Sequence, residues 1–248
     1  MPSSRIPTPG TLRPGGEPAD GMPEHYRRIV SFTSRGGRLN QVQKRAFDAY
    51  ADRWYLEATD LGGAIDSPSL FGRDAPLVIE VGSGMGESTA AMAQARPEVN
   101  VLAVEVYRPG IAQTLHHLAR RGVENVRVLR ADAVPVLDEL VSADSLEELW
   151  LFFPDPWPKN KHHKRRIVTD SFVTLVASRL RPGGVFRLGT DIEQYAEVML
   201  EVCSRNRLLL NRNDSFGPRP EFRPTTRFEG RGLDEGRAIF DLEFERIR

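Results

Sequence analysis

The chain has 248 residues with 34 Lys plus Arg against 34 Asp plus Glu, so its formal net charge is zero with histidines neutral. That length suits one large or two small domains, and 40% hydrophobic with 27% charged residues is the balance of a globular protein with a buried core. No apolar run approaches the roughly 20 residues of a membrane span, no apolar signal region opens the chain, and the single cysteine, Cys203, excludes an intramolecular disulfide framework or a Cys-based zinc cluster. These features predict no membrane partner and a reducing, cytoplasmic setting.

Residues 1–23 are rich in Pro, Gly and Ser and poor in large apolar side chains, which predicts a disordered tail extending to residue 29. Residues 30–248 then read as one domain. From Gln41 to Leu56 the positions Val42, Ala46, Phe47, Ala49, Tyr50 and Trp54 recur at helical spacing, so an N-terminal helical extension over about 41–56 is expected. After a polar connector, short apolar runs alternate with helical segments. Strands are predicted at Leu77–Val81, Val101–Val106, Val126–Arg130, Leu149–Phe153 and Val185–Leu188, with helices through Met92, from about Pro109 to Arg121 and near Ile167–Leu180. Arg207–Leu210 and Ala238–Phe244 complete a set of seven. Strands alternating with helices predict a doubly wound α/β fold, a mostly parallel seven-stranded sheet with an antiparallel C-terminal strand.

The zero charge is a cancellation. Residues 1–45 hold eight basic and three acidic residues, residues 46–158 eight and eighteen, residues 159–166 five and none, and residues 167–248 thirteen of each. Two basic segments therefore flank an acidic body, and a local basic patch attracts phosphates whatever the total.

Behind the first of the βα units lies Glu80-Val-Gly82-Ser-Gly84-Met-Gly86-Glu87. Glycines here permit a tight strand-to-helix turn and close approach of a ligand to the backbone. A dinucleotide fingerprint would need glycine where Glu87 stands, and a carboxylate in the first helical turn repels a pyrophosphate. A cationic ligand without phosphate suits the loop better, and S-adenosyl-L-methionine is one. The next two strands also end in acids, Glu105 and Asp132. In a parallel sheet these ends share one edge, so Glu80, Glu105 and Asp132 are expected in one crevice, Glu105 facing the ribose hydroxyls and Asp132 the adenine amino group. Helix capping is the alternative role for Asp132. The fourth strand runs into Pro154-Asp155-Pro156-Trp157, where flanking prolines fix the direction of the Asp155 carboxylate and Trp157 reads as packing.

Pro154-Asp-Pro-Trp-Pro-Lys159, then Lys161-His-His-Lys-Arg-Arg166, Gly189-Thr-Asp191 with Tyr195-Ala196, and Thr226-Arg-Phe-Glu229 together resemble the bacterial tRNA (guanine-N7)-methyltransferases that modify guanosine 46. The likeness runs from about Val30 to the C-terminus. It implies a class I methyltransferase with S-adenosyl-L-methionine as cofactor, bound at Glu80, Gly82, Gly84, Gly86, Glu105, Asp132 and Asp155. It further implies Asp155 as the catalytic residue, Lys159, Asp191, Thr226, Arg227, Phe228 and Glu229 as substrate contacts, and Lys161, His162, His163, Lys164, Arg165 and Arg166 as RNA contacts. The implied partner is tRNA, with no metal, no obligate protein partner, and monomer and homodimer both open. A small-molecule methyltransferase would leave the basic segment without a task, and a non-catalytic RNA-binding module would leave the strand-end acids without one.

Overall fold

The computed structural model describes residues 30–32, 37–225, 229–230 and 236–248. The expected tail at 1–29, and Thr226, Arg227 and Phe228, lie outside the described residues. Among the described residues eight strands form one sheet: β1 (Tyr55–Glu57), β2 (Leu77–Val81), β3 (Asn100–Glu105), β4 (Val126–Arg130), β5 (Leu146–Phe152), β6 (Leu180–Thr190), β7 (Leu209–Asn211) and β8 (Phe240–Arg246). Their order is β1-β4-β3-β2-β5-β6-β8-β7, parallel from β1 to β6, with β8 antiparallel to both β6 and β7. The chain winds outward from β2 through β3 and β4, then returns to β5 on the other side of β2. The ligand crevice of such a sheet opens at that reversal, beyond the strand C-termini.

The helices are α1 (Gln41–Trp54), α2 (Ser67–Phe71), α3 (Glu87–Ala95), α4 (Arg108–Arg121), a turn α5 (Ala133–Pro135) running into a π-helical stretch at Val136–Leu140, α6 (Asp170–Arg179) and α7 (Glu193–Ser204). Alternation along the strands sorts the core into two layers. Val78, Val101, Val126, Val128 and Trp150 pack with Trp54, Ile111 and Leu115. Ile79, Leu102, Val104, Leu149 and Leu151 pack with Val173, Val176, Tyr195 and Met199 of α6 and α7. Buried on both faces, the central strands show no polar alternation.

The eighth strand is the difference from the seven expected. The sequence continues the helical pattern to Leu56, but α1 ends at Trp54 and Tyr55 turns extended, at φ −87° and ψ 142°. Tyr55, Leu56 and Glu57 pair with Val128, Leu129 and Arg130, covering the otherwise bare edge of β4. The start of α1 is fixed by a capping box, with Asn40 Oδ1 accepting from Gln43 N–H at 2.9 Å and Gln43 Oε1 from Asn40 N–H at 3.1 Å.

Candidate active site

The C-terminal ends of β2 to β5 enclose a cleft of about 310 Å³. Gly82, Gly84, Glu105, Asp132 and Asp155 all line it, with Tyr107, Phe152, Phe153, Pro154, Ile167, Ser31 and Phe32. Five of the residues singled out in the sequence therefore meet at one edge of the sheet.

Between β2 and α3, Gly82 and Gly84 take φ of 78° and 57°, and nothing stands within 4 Å of where a Cβ would be. That open cradle fits a ligand lying against bare backbone. Gly86 differs: it lies outside the cleft lining, and a Cβ there would stand 2.2 Å from Thr114 Oγ1. Its task is close packing of the loop on α4.

Glu105, at the end of β3, receives three backbone N–H groups. Gly84 donates to Oε2 at 2.7 Å, and Val106 and Tyr107 donate to Oε1 at 2.7 and 2.8 Å. Burial raises its pKa, these bonds oppose the rise, and the charge of Asp155 adds to it. A carboxylate offers about four acceptor positions, so Oε2 keeps one for a ligand. Asp132 caps the turn after β4, accepting from Val134 N–H at 3.1 Å, while also lining the cleft. One side chain thus both caps a turn and borders the cleft.

Glu80 does not line the cleft. It is the penultimate residue of β2, 4% exposed, with Oε2 unpartnered. Burial pushes its pKa up to about 7, Thr89 opposes the rise, and Glu105 adds to it. A buried, unpaired carboxylate oxygen costs free energy that an ammonium would offset.

Beyond β5, Asp155 is exposed on the cleft wall. Prolines stand on both sides, and beyond them Phe153 and Trp157 hold φ of 52° and 44°, rare for non-glycine residues. Such strain persists only where the surroundings over-determine it. Phe153 N–H is fixed on Gly189 O at 2.7 Å, and the Trp157 indole donates to Ser31 O at 2.9 Å. Trp157 is thus a packing residue, as its sequence context suggested.

The basic segment, a 3-10 stretch at Asn160–Arg165, divides by exposure. Lys159, Lys161 and Lys164 are exposed, and His162 and His163 half-buried. Partial desolvation and the cations Lys161, Arg165, Lys159 and Lys164 hold His162 below its ordinary pKa. Arg165 lies 3.8 Å above the Trp157 ring and donates to Val30 O and Phe32 O at 3.3 and 2.9 Å, so it anchors residues 30–32 over the cleft. Arg166, expected as an RNA contact, is placed differently from the lysines. It is 5% exposed and donates to Pro156 O at 2.8 Å and Gln194 Oε1 at 3.0 Å, bracing the Asp155 loop against α7.

Asp191, just after β6, pairs with Arg237. Glu229 is 1% exposed and pairs with Arg223, which also grips Asp241 of β8. Neither Asp191 nor Glu229 lines the cleft in this conformation. Sequence reasoning did not single out Ser31, Phe32 and Phe152, which line the cleft, or the buried pair Arg223 and Asp241. The first two meet the Asp155 loop across more than 120 residues of chain, a separation no local pattern reports. The only available signal for Arg223 was its place three residues before Thr226.

Residues 74–242 match a family model described as "Putative methyltransferase". A tRNA (guanine-N(7)-)-methyltransferase from Paraburkholderia xenovorans (strain LB400) is 42% identical over 246 residues, covering 98% of this chain and 94% of that protein. A protein of the same name from a Nocardioides species is 46% identical over 233 residues, covering 92% and 90%. Among solved structures, the 16S rRNA methyltransferase KamB covers 89% of this chain and 99% of its own at a TM-score of 0.50; with 14% identity, that likeness concerns the fold alone. No described helix is long and apolar enough to cross a membrane.

Proposed function

The chain belongs to the tRNA (guanine-N7)-methyltransferase family, and from that premise we infer that it methylates N7 of guanosine 46 in the variable loop of tRNA, with S-adenosyl-L-methionine as cofactor. The observation that carries this reading is the meeting of Gly82, Gly84, Glu105 and Asp132 with Asp155 around one cleft.

When bound, the cofactor supplies an electrophilic methyl group. Gly82 and Gly84 would give it a bare backbone to lie against, Glu105 would accept a ribose hydroxyl at its remaining lone pair, and Asp132 would accept from the adenine amino group. Glu80, next in the chain to cleft-lining Val81 and with Oε2 unpartnered, would meet its ammonium once the cofactor is bound. The three acids at these strand ends give the site a negative charge that favours a cationic cofactor; a pyrophosphate cofactor would meet the same charge as repulsion.

N7 of guanine carries a free lone pair and no proton, so no general base is needed and positioning is the main catalytic resource. Asp155 accepts from guanine N1–H and the 2-amino group and offsets the positive charge the ring acquires on methylation. Lys159, Asp191 and the Thr226–Glu229 stretch complete the guanosine site. The base must leave its tertiary contacts, at a cost of a few kcal/mol. Lys161 and Lys164, both exposed, offset that cost by binding phosphates, with His162 and His163 beside them. A cytoplasmic setting fits this substrate.

The test is methyl transfer from labelled cofactor to tRNA carrying guanine or 7-deazaguanine at position 46. Transfer is expected with guanine and none with 7-deazaguanine; equal labelling of both would refute the assignment of N7 at that position.

A further inference from the structure

Arg223 is 2% exposed, a guanidinium inside the protein, and it binds two acids at once. Its Nη2 donates to Asp241 Oδ1 and Oδ2 at 2.9 and 2.8 Å, and its Nη1 pairs with Glu229. The same guanidinium lies over Phe152 and Phe153, its Cζ 5.0 and 5.4 Å from the ring centroids. Both rings line the cleft immediately before Pro154 and Asp155. One side chain thus joins three stretches of chain: the approach to Thr226–Glu229, the cleft wall that carries Asp155, and the β6–β8 ladder where Gly189 faces Asp241.

One buried cation between two anions is a poor device for stability alone, since apolar side chains of similar volume serve a core as well or better. It does fix geometry. Arg presents donors in a rigid fork, so Glu229 and Asp241 are held in a set orientation to each other. The planar group over Phe152 and Phe153 also restrains the strained backbone at Phe153. Phe222, the residue before Arg223, stacks on Trp150 at 5.1 Å, which pins the loop from the other side.

We propose that Arg223 is a positioning residue for methyl transfer: it holds Glu229 and the Phe152–Phe153 wall in register with Asp155, without itself touching RNA or cofactor. This inference rests on the reading of Asp155 and Glu229 as substrate residues.

The test compares full-length Arg223→Lys, Asp241→Asn and Glu229→Gln in single-turnover transfer to tRNA, with dissociation constants for tRNA and cofactor and the melting temperature measured alongside. Lys keeps the charge and loses the fork. The transfer rate of Arg223→Lys at saturating tRNA and cofactor should fall about 10²-fold, the loss that a displacement near 1 Å brings, while both dissociation constants hold. The charged groups facing Asp241 are Arg223, Glu229 and Arg219; burial, with Glu229 adding and the arginines opposing, pushes its pKa up to about 6. The wild-type rate should therefore rise with pH through about 6, as Asp241 ionises and closes on Arg223, and Asp241→Asn should lose that inflection. Asp241→Asn keeps an acceptor for Arg223, so it carries the test should Arg223→Lys fold poorly. The proposal is overturned by a wild-type rate in Arg223→Lys alongside a slow Glu229→Gln, or by an inflection near pH 6 that survives in Asp241→Asn. A wild-type rate in Glu229→Gln is a different failure, that of the guanosine-site reading.

Discussion

On the β2–β4 side of the cleft, acids sit at the ends of parallel strands and spend much of their bonding capacity on the protein's own backbone. Glu105 holds three N–H groups and Asp132 caps a turn. On the β5–β6 side the chain leaves the sheet as a proline-flanked loop and a 3-10 stretch, and its charged residues split between exposed lysines and arginines locked into braces. The first side is preorganised by secondary structure and suits a small ligand of fixed shape. The second is held by long-range side-chain contacts, and its exposed lysines suit a large polyanion. Asp155 stands where they meet, on a loop of the second side but facing the cleft of the first.

That division predicts that Asp155→Ala separates chemistry from binding. Transfer is expected to fall by about 10²–10³-fold, the scale of removing one preorganised group that meets developing charge, while retention of tRNA stays near wild type. Parallel losses in both would erase the distinction.

Glu80 tests the cofactor side alone. Its folded pKa, raised from 4.5 to about 7, makes its contribution to the stability of the ligand-free protein complete below about 4.5 and lost as pH rises through about 7. Binding of a cationic cofactor runs the other way, because only the ionised carboxylate attracts it. Cofactor affinity measured by calorimetry should rise by up to about tenfold per pH unit below 7 and level off above it, and Glu80→Gln should flatten both dependences. A pH-independent wild-type affinity would show that Glu80 does not meet the cationic group.

The smallest effect belongs to the exposed lysines. Reversing Lys161 and Lys164 to Glu should raise KM for tRNA several-fold and lower the salt slope of binding by about 1 for each phosphate no longer neutralised, with cofactor affinity unchanged. Arg166 is excluded from that reversal because it is a brace: a carboxylate placed there would be buried beside Pro156 O.

The two sides also differed in how far the sequence disclosed them. Strand-end acids and a glycine turn are local signals, because a run such as Leu77–Val81 fixes both the strand and the edge where its last residue lies. The C-terminal ends of β2, β3 and β4 could therefore be placed together from periodicity alone. What escaped was set by tertiary context. The extra strand at Tyr55–Glu57 forms because β4 has an edge to cover, and nothing within Gln41–Leu56 announces it. Gly86 reads in sequence as a ligand glycine, while the close packing on Thr114 of α4 that its missing side chain permits is visible only in the fold. Lys164 and Arg166 read alike as charges, and only burial separates the solvated cation from the braced one.

The most direct test of the central claim is nucleoside mass spectrometry, with position mapping, of tRNA from cells lacking this protein. The account predicts loss of 7-methylguanosine at position 46, restored by the wild-type chain and not by Asp155→Ala. Unchanged 7-methylguanosine at that position, or restoration by Asp155→Ala, would contradict it.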